Sequence, residues 1–381
     1  MGANSSNPCC CRGRSALEVT VLALCVGLAL LPFAAIGFFS RPALIWKMEL
    51  VFGSERIWSS SGSSGWYGRN TPQRSRNLAA PAFADLARSS NFSVRELLHL
   101  DALLSKAAFR NNTVIITTSN QAWAAKGNML DMFLDSFRKG EGISSFLDHL
   151  LIVSLDKIAH DRCVRIHKFC FVLKTDGIDF SGEKFFMSDD YLKMMWRRVH
   201  FLGVVLQLGY DFVFSDADIL WFRDPFKHFH PGADFEIACD QFYGSAVDLR
   251  NKPNGGYVHV RSNNRTVAFY KFWHAARVLF PGKHDQDVLN AVKYTEGFWS
   301  LGLKMRFLTT QFFGGFCQVS RDLEEVCTMH ANCCTGLQRK INDLKLVVED
   351  WDEFASMTAQ EKQSKRIYWR APRECLHSFG S

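Results

Sequence analysis

The chain has 381 residues, 47% of them hydrophobic and 22% charged, enough for one large or two modest domains with a true apolar core. Its net charge of +7 is scattered, with no Lys/Arg-dense stripe to track a phosphate backbone, which argues against nucleic acid as a partner. Phenylalanine is unusually frequent at 33 residues and points to an aromatic core or an aromatic substrate groove.

A short tail, residues 1–18, precedes Val19 to Phe39, 21 residues without a charge. As a helix rising 1.5 Å per residue this run spans roughly 30 Å, the hydrocarbon thickness of a bilayer. A cleavable signal has an apolar region of only about 7–15 residues, so the run predicts a transmembrane anchor, with Pro32 and Ala34-Ala35 as the features that also fit a cleavage site. Arg12 and Arg14 before it, against Arg41 and Lys47 after it, narrowly favour a cytosolic N-terminus. The expectation is a single-pass type II protein with its large domain in the secretory lumen. Met1-Gly2-Ala3-Asn4-Ser5-Ser6 fits a myristoylation pattern and Cys9, Cys10 and Cys11 stand where palmitoylation occurs; neither changes the topology. Residues 40–90 read as a flexible stem, because Ser59 to Gly65 has linker composition and the stretch to Asn77 has little to bury.

Residues 91–381 carry the folded domain. A helix is expected from Val94 to Ala108, a strand at Thr113–Thr118, a helix from Trp123 to Phe137, a second strand at His149–Leu155 with a helix through Ile166, a third strand at Cys170–Leu173 and a long helix from Asp189 to Leu208. In that last helix Met194, Met195, Leu202 and Val205 are the expected core. Strand–helix repetition of this kind predicts a parallel sheet with helices on both faces and ligands at the strand carboxyl ends.

Eight cysteines follow the anchor, at 163, 170, 239, 317, 327, 333, 334 and 375. An even count in an oxidising compartment permits disulfides, with Cys163–Cys170 and Cys317–Cys327 as the close pairs. A zinc site at Cys327, His330, Cys333 and Cys334 is too compressed for four ligands around one tetrahedral ion. Sequons at Asn91, Asn111 and Asn264 are compatible with a lumenal location.

The next strand, Asp211 to Ser215, delivers Asp216-Ala217-Asp218 and is followed by Ile219-Leu220-Trp221-Phe222. Ionised carboxylates are costly to bury unless paired, hydrogen-bonded or metal-bound. A D-x-D where a buried strand meets the ligand crevice is therefore a hard-cation site, suited to Mn²⁺ or Mg²⁺ bridging a diphosphate; the plain alternative is an acidic turn capping the next element. Asn254-Gly255-Gly256 reads as a turn allowing close approach of backbone to ligand. His284-Asp285-Gln286-Asp287 opens a helix over Val288–Val292, where one Asp serves equally well as a cap. His330 follows a strand, a place where a histidine is commonly structural.

These segments resemble a known family. Glu183-Lys184-Phe185-Phe186-Met187, Asp190 to Arg198, Asp216-Ala217-Asp218, Trp221 to Phe226, Asn254-Gly255-Gly256, His284 to Asp287 and Cys327 to Cys333 are together similar to the plant nucleotide-diphospho-sugar transferases of glycosyltransferase family 77. The resemblance covers residues 95–375 and excludes tail and stem. It implies an α/β GT-A fold, Golgi residence and Mn²⁺-dependent, anomer-retaining transfer from a UDP-sugar to a glycan or glycoprotein acceptor. Relatives include xylosyltransferases acting on rhamnogalacturonan-II and arabinosyltransferases acting on extensins, so a pentose donor and a cell-wall acceptor are favoured. Tyr257 and His259 fall where the family varies among aromatic or hydrophobic residues.

On that resemblance Asp218 and Asp216 hold the cation, and His330, with His284 second, completes its shell. Asp216, Asn254, Gly255 and Gly256 border the donor. Asp285, Gln286 and Asp287 are the polar groups for the anomeric centre. Thr117 and Thr118 end the first strand, where the fold would bind the nucleoside. Lys193 and Arg197, four apart on one helix face, suit a phosphate or a structural ion pair. Two rivals stand against the transferase reading. A phosphohydrolase with a nucleophilic first Asp prefers Thr or Val where Leu220 stands and an early motif. A non-catalytic, Golgi-anchored glycan-binding or escort protein would not need the intact Asp216, Asp218 and His330.

Overall fold

The computed structural model describes residues 80–175 and 177–378. The anchor run, the tail and its cysteines, and most of the stem lie outside the described residues. Among the described residues no helix is long and apolar enough to cross a membrane.

Order begins earlier than the stem reading implies. Helix Ala80–Ser90 buries Phe83 and Leu86, and helix Val94–Ala107 follows, opened by a capping box between Ser93 and Glu96. Reciprocal bonding of that kind satisfies two amide groups that a helix start leaves unpaired. β1 (Thr113–Ser119), β2 (Leu150–Ser154), β3 (Cys170–Val172) and β4 (Asp211–Ser215) pair parallel in a central sheet. β2 is buried at every position, as expected of an apolar run covered on both faces. The helix expected from Trp123 to Phe137 is broken into Gln121–Ala124 and Met129–Lys139, because Gly127 turns left-handed at φ 75° between them.

The sheet is not wholly parallel. Its order is β3-β2-β1-β4-β7-β6-β8, with β6 at Phe235–Gln241, β7 at Lys252–Val260 and β8 at Met305–Phe307. β7 runs antiparallel to both β4 and β6. Asn254-Gly255-Gly256, expected as a turn, therefore lies inside β7, beside an irregularity in its pairing with β6. A second sheet, ordered β5-β10-β9, joins β5 (Ile219–Trp221), β9 (Phe313–Gly315) and β10 (Thr328–His330). Trp221 locks the two sheets together: its ring stacks on Phe137 at 4.8 Å and its indole N–H donates to Ser215 Oγ at 3.0 Å. This answers the cost of burying an indole donor.

Cys163–Cys170 is bonded as expected. Cys317 pairs with Cys333, not with Cys327, and Cys334 pairs with Cys375. The register explains the correction. β10 lies parallel to β9 with His330 opposite Gly315, so the chain two to three residues further on brings Cys333 to Cys317. Cys327 lies at the other end of β10, bonded to Phe312 O through its amide, and is a buried free thiol. With Cys333 and Cys334 both in disulfides, the four-ligand zinc set does not assemble. Asn91, Asn111 and Asn264 are all exposed.

Candidate active site

β4 ends at Ser215, and the next residues turn at the carboxyl end of the parallel strands. Asp216 N donates to Gly256 O at 2.7 Å, an extension of the ladder that pairs Ser215 with Tyr257. The D-x-D and the two glycines of β7 are thus backbone neighbours. A Cβ on Gly256 would lie 2.6 Å from Asp216 Oδ2 and 2.7 Å from His330 Cε1, so this position admits only glycine without displacing the site. Gly256→Ala is expected to lower turnover by roughly 10²-fold, the cost of about a 1 Å misplacement, while circular dichroism stays as in the parent. Parent-like turnover would reduce Gly256 to a packing detail.

The second sheet delivers the histidine. His330 is paired with Ile219 across β10 and β5, and Ala331 N donates to Asp218 O at 3.1 Å. Asp216, Asp218 and His330 each offer a ligand atom, all within 4.8 Å of one another. Asp218 is 1% exposed. Its Oδ2 accepts from Lys340 Nζ at 2.6 Å, whereas its buried Oδ1 accepts no hydrogen bond and stands 3.3 Å from His330 Nε2. Burial alone would raise the Asp218 carboxyl; Lys340 and His330 outweigh it and hold it below the usual range. Asp216 is raised, by burial and by the Asp218 charge, against the pull of Arg198. An ionised oxygen whose neighbour is an imidazole nitrogen at 3.3 Å, beside a second carboxylate, is a donor set that fits a divalent cation, and its mix of oxygen and nitrogen suits Mn²⁺.

A buried guanidinium ties this cluster to the start of helix Asp285–Val292. Arg198 donates from Nη1 to Asp216 Oδ1 at 2.8 Å and from Nη2 to Asp285 Oδ2 at 2.7 Å, and lies over the Phe214 ring at 4.9 Å. Asp285 loses water on burial, yet Arg198 draws its carboxyl down to about 2. Gln286 accepts from Gly255 N at 3.2 Å and donates to Asp240 Oδ2 at 2.6 Å. Asp240 Oδ1 also accepts from Asn254 Nδ2 at 2.7 Å and Asn332 Nδ2 at 2.9 Å. Three side-chain amides therefore converge on one carboxylate beside the β7 glycines.

Of the sequence-predicted residues, Asp216, Asp218, His330, Asn254, Gly255, Gly256, Asp285 and Gln286 come together. The others do not. Asp287 is half-exposed and lies 3.6 Å from His284. His284 accepts from Gln286 N and caps the helix, so it is not the third member of the metal cluster. Thr117 is fully buried with an unpartnered hydroxyl and opens to no ligand; Thr118 is half-buried. Lys193 points outward toward Asp190 at 3.6 Å. Arg197 donates to Lys174 O and covers the Phe92 ring, leaving the site to its neighbour Arg198. Besides Arg198, sequence reasoning missed Asp240, Asn332 and Lys340 as parts of the cluster.

The model of the family described as nucleotide-diphospho-sugar transferase matches residues 145–344. Uncharacterized protein At4g15970 of Arabidopsis thaliana is 46% identical over 74% of this chain and 75% of its own length. Uncharacterized protein At1g28695, from the same plant, is 38% identical over 75% of this chain and 86% of its own. Arabinosyltransferase RRA2 of Arabidopsis thaliana is 24% identical over 51% of this chain and 43% of its own. Matched across more than half its length by that family model, and over three quarters of a 46%-identical relative, the chain belongs to the nucleotide-diphospho-sugar transferase family.

Proposed function

We propose that the protein is a Golgi type II glycosyltransferase of GT-A type. It moves a sugar, a pentose such as xylose or arabinose being favoured, from a UDP-sugar to a cell-wall polysaccharide or glycoprotein, with Mn²⁺ and with retention at the anomeric carbon. The observation that carries this reading is the convergence of Asp216, Asp218 and His330 against the Gly256 backbone, with Asp218 Oδ1 facing His330 Nε2 at 3.3 Å. The likeness to an arabinosyltransferase supports the pentose.

A bound divalent cation would supply Lewis-acid neutralisation of charge on the leaving nucleoside diphosphate. The chain's own side chains prepare the site for it. Arg198 fixes Asp216 and Asp285 with one hydrogen bond to each. Lys340 holds Asp218 ionised and aims its other oxygen toward His330. Gln286, itself anchored by Asp240 and Gly255 N, is the polar group we place against the sugar. Fixed dipoles of this kind are worth more at a water-poor site than in bulk solvent.

The test is a screen of the full-length protein with Mn²⁺ against UDP-xylose, UDP-arabinofuranose, UDP-galactose and further donors, scoring released UDP. One donor is expected to stand clear of the Asp218→Asn background. If none does, the protein is a non-catalytic glycan-binding or escort protein. For topology, protease added to sealed Golgi vesicles is expected to spare the large domain and remove at most the tail. Digestion of the domain from outside, or a mature chain starting near residue 40, contradicts the anchor.

A further inference from the structure

A cavity of about 1320 Å³ lies outside the cluster just described. Its walls come from the loop after β5, from residues following β6, and from the segments that flank β8 and β9. Neither Asp216, Asp218 and His330 nor Gln286 lines it, so it is not the space where cation and diphosphate would sit. It nevertheless reaches the cluster. Cys317 lines the cavity, and its amide donates to Asn332 Oδ1 at 3.1 Å. Asn332 in turn donates to Asp240, the carboxylate that anchors Gln286. Phe242, two residues beyond Asp240, lines it as well.

We propose that this cavity binds the acceptor and that the acceptor is an extended oligosaccharide; the proposal rests on the transferase reading above. Size is the first argument. Pockets for drug-sized ligands run from about 300 to 1,000 Å³, and a single sugar would leave most of this volume to water. Chemistry is the second. Phe312 stacks on His228 at 3.8 Å between centroids and both border the cavity. Phe242 borders it half-exposed. Flat rings of this sort suit the C–H faces of pyranose or furanose rings. The polar lining includes the neutral groups Thr309, Thr310, Gln311 and Gln318, beside the charged Glu236, Arg306, Arg321 and Asp322, and all of these can bond to hydroxyls. The third argument is against a peptide. An extended peptide is held chiefly by joining a free strand edge, and here Phe307 N is taken by Ala246 O and Gly315 N by Gln318 O.

The experiment uses the full-length protein with its active UDP-sugar and two acceptor series, arabino-oligosaccharides and oligogalacturonides, each from monosaccharide to hexasaccharide, beside a hydroxyproline-rich peptide. In one series the acceptor KM is expected to fall about tenfold with length, and Phe242→Ala to remove that gain, the usual effect of losing an aromatic anchor. The donor KM is expected to stay within about twofold, because the Phe242 backbone bonds to Gln318 and the substitution removes only the ring. A KM independent of length, a peptide preferred over both series, or an undiminished length effect in Phe242→Ala overturns the proposal. Saturation-transfer NMR with the hexasaccharides reads the cavity without turnover. Contact that is lost in Phe242→Ala supports an oligosaccharide site even where no donor is turned over, an outcome that would sink the transferase reading alone. No contact in the parent protein contradicts the site itself.

Discussion

Asp218→Asn is expected to lower sugar transfer by on the order of 10³-fold, because it removes the charge around which the cation site is built while preserving shape. The exchange also costs stability. Lys340 Nζ lies 2.6 Å from Asp218 and is mostly buried, so the amide leaves an ammonium without its counter-charge. A loss of roughly 1–3 kcal/mol is expected, and Lys340→Met placed on top of Asp218→Asn is expected to recover part of it. In the parent the carboxyl is held below its usual range, so the pair contributes fully above the unfolded carboxyl pKa and weakens as pH falls below it. Kinetics at low Mn²⁺ with thermal melts of the two variants measure both effects. Near-parental turnover in Asp218→Asn would remove the cation from the account.

Arg198→Met is expected to have the largest effect on stability. The guanidinium is 5% exposed and serves two carboxylates, one of them the 3%-exposed Asp285. Removing one partner of a buried pair typically costs about 3–5 kcal/mol, since the other charge is left uncompensated. The pH dependence gives the diagnostic sign. With Arg198 present, Asp285 sits at about 2, so its contribution is complete above the unfolded value of about 3.9 and disappears as pH falls toward the folded one. Without Arg198, burial dominates and raises the carboxyl, so the variant is expected to gain more stability on acidification from neutral to about pH 5 than the parent, in which Asp216 is raised and Asp285 is not. Asp285→Asn on the Arg198→Met background is expected to restore part of the loss at neutral pH. Equal melting temperatures for parent and Arg198→Met would show that the bridge is not formed in solution.

The D-x-D, the strand that presents it and the long helix before it were legible because each is a local signal. Asp211–Ser215 is an apolar run ending in paired acids, and Ser188 with two aspartates marks the helix start. Arg198 was within reach of the same reasoning: it falls three residues after Met195 and four before Leu202, on the face that the helix buries. A cation on an apolar stripe needs a buried partner, and that outweighs the exposed spacing of Lys193 and Arg197. Asp240 repeats the logic of Asp216 at the end of another buried strand. The antiparallel course of β7 was not legible, because its Asn-Gly-Gly has the composition of a turn. Only the close approach of Asp216 and His330 to Gly256 explains why glycine stands inside a strand. Lys340 had no local signal. It comes from helix Leu337–Ser356, more than a hundred residues after Asp218, and tertiary contact alone reveals its part. Cys317–Cys333 likewise depends on the register of β9 and β10.

The central claim is that Asp216, Asp218 and His330 form one cation site, and binding of Mn²⁺ to the full-length protein, followed by electron paramagnetic resonance in the presence of UDP, tests it most directly. The parent is expected to bind one equivalent of Mn²⁺. His330→Ala is expected to weaken that binding by more than about 100-fold, beyond the 10–100-fold range typical of residues that only support a ligand, with the melting temperature of the metal-free protein close to that of the parent. A variant that melts earlier yet binds Mn²⁺ and UDP as tightly as the parent would contradict the account, leaving His330 as a packing residue beside Asp218.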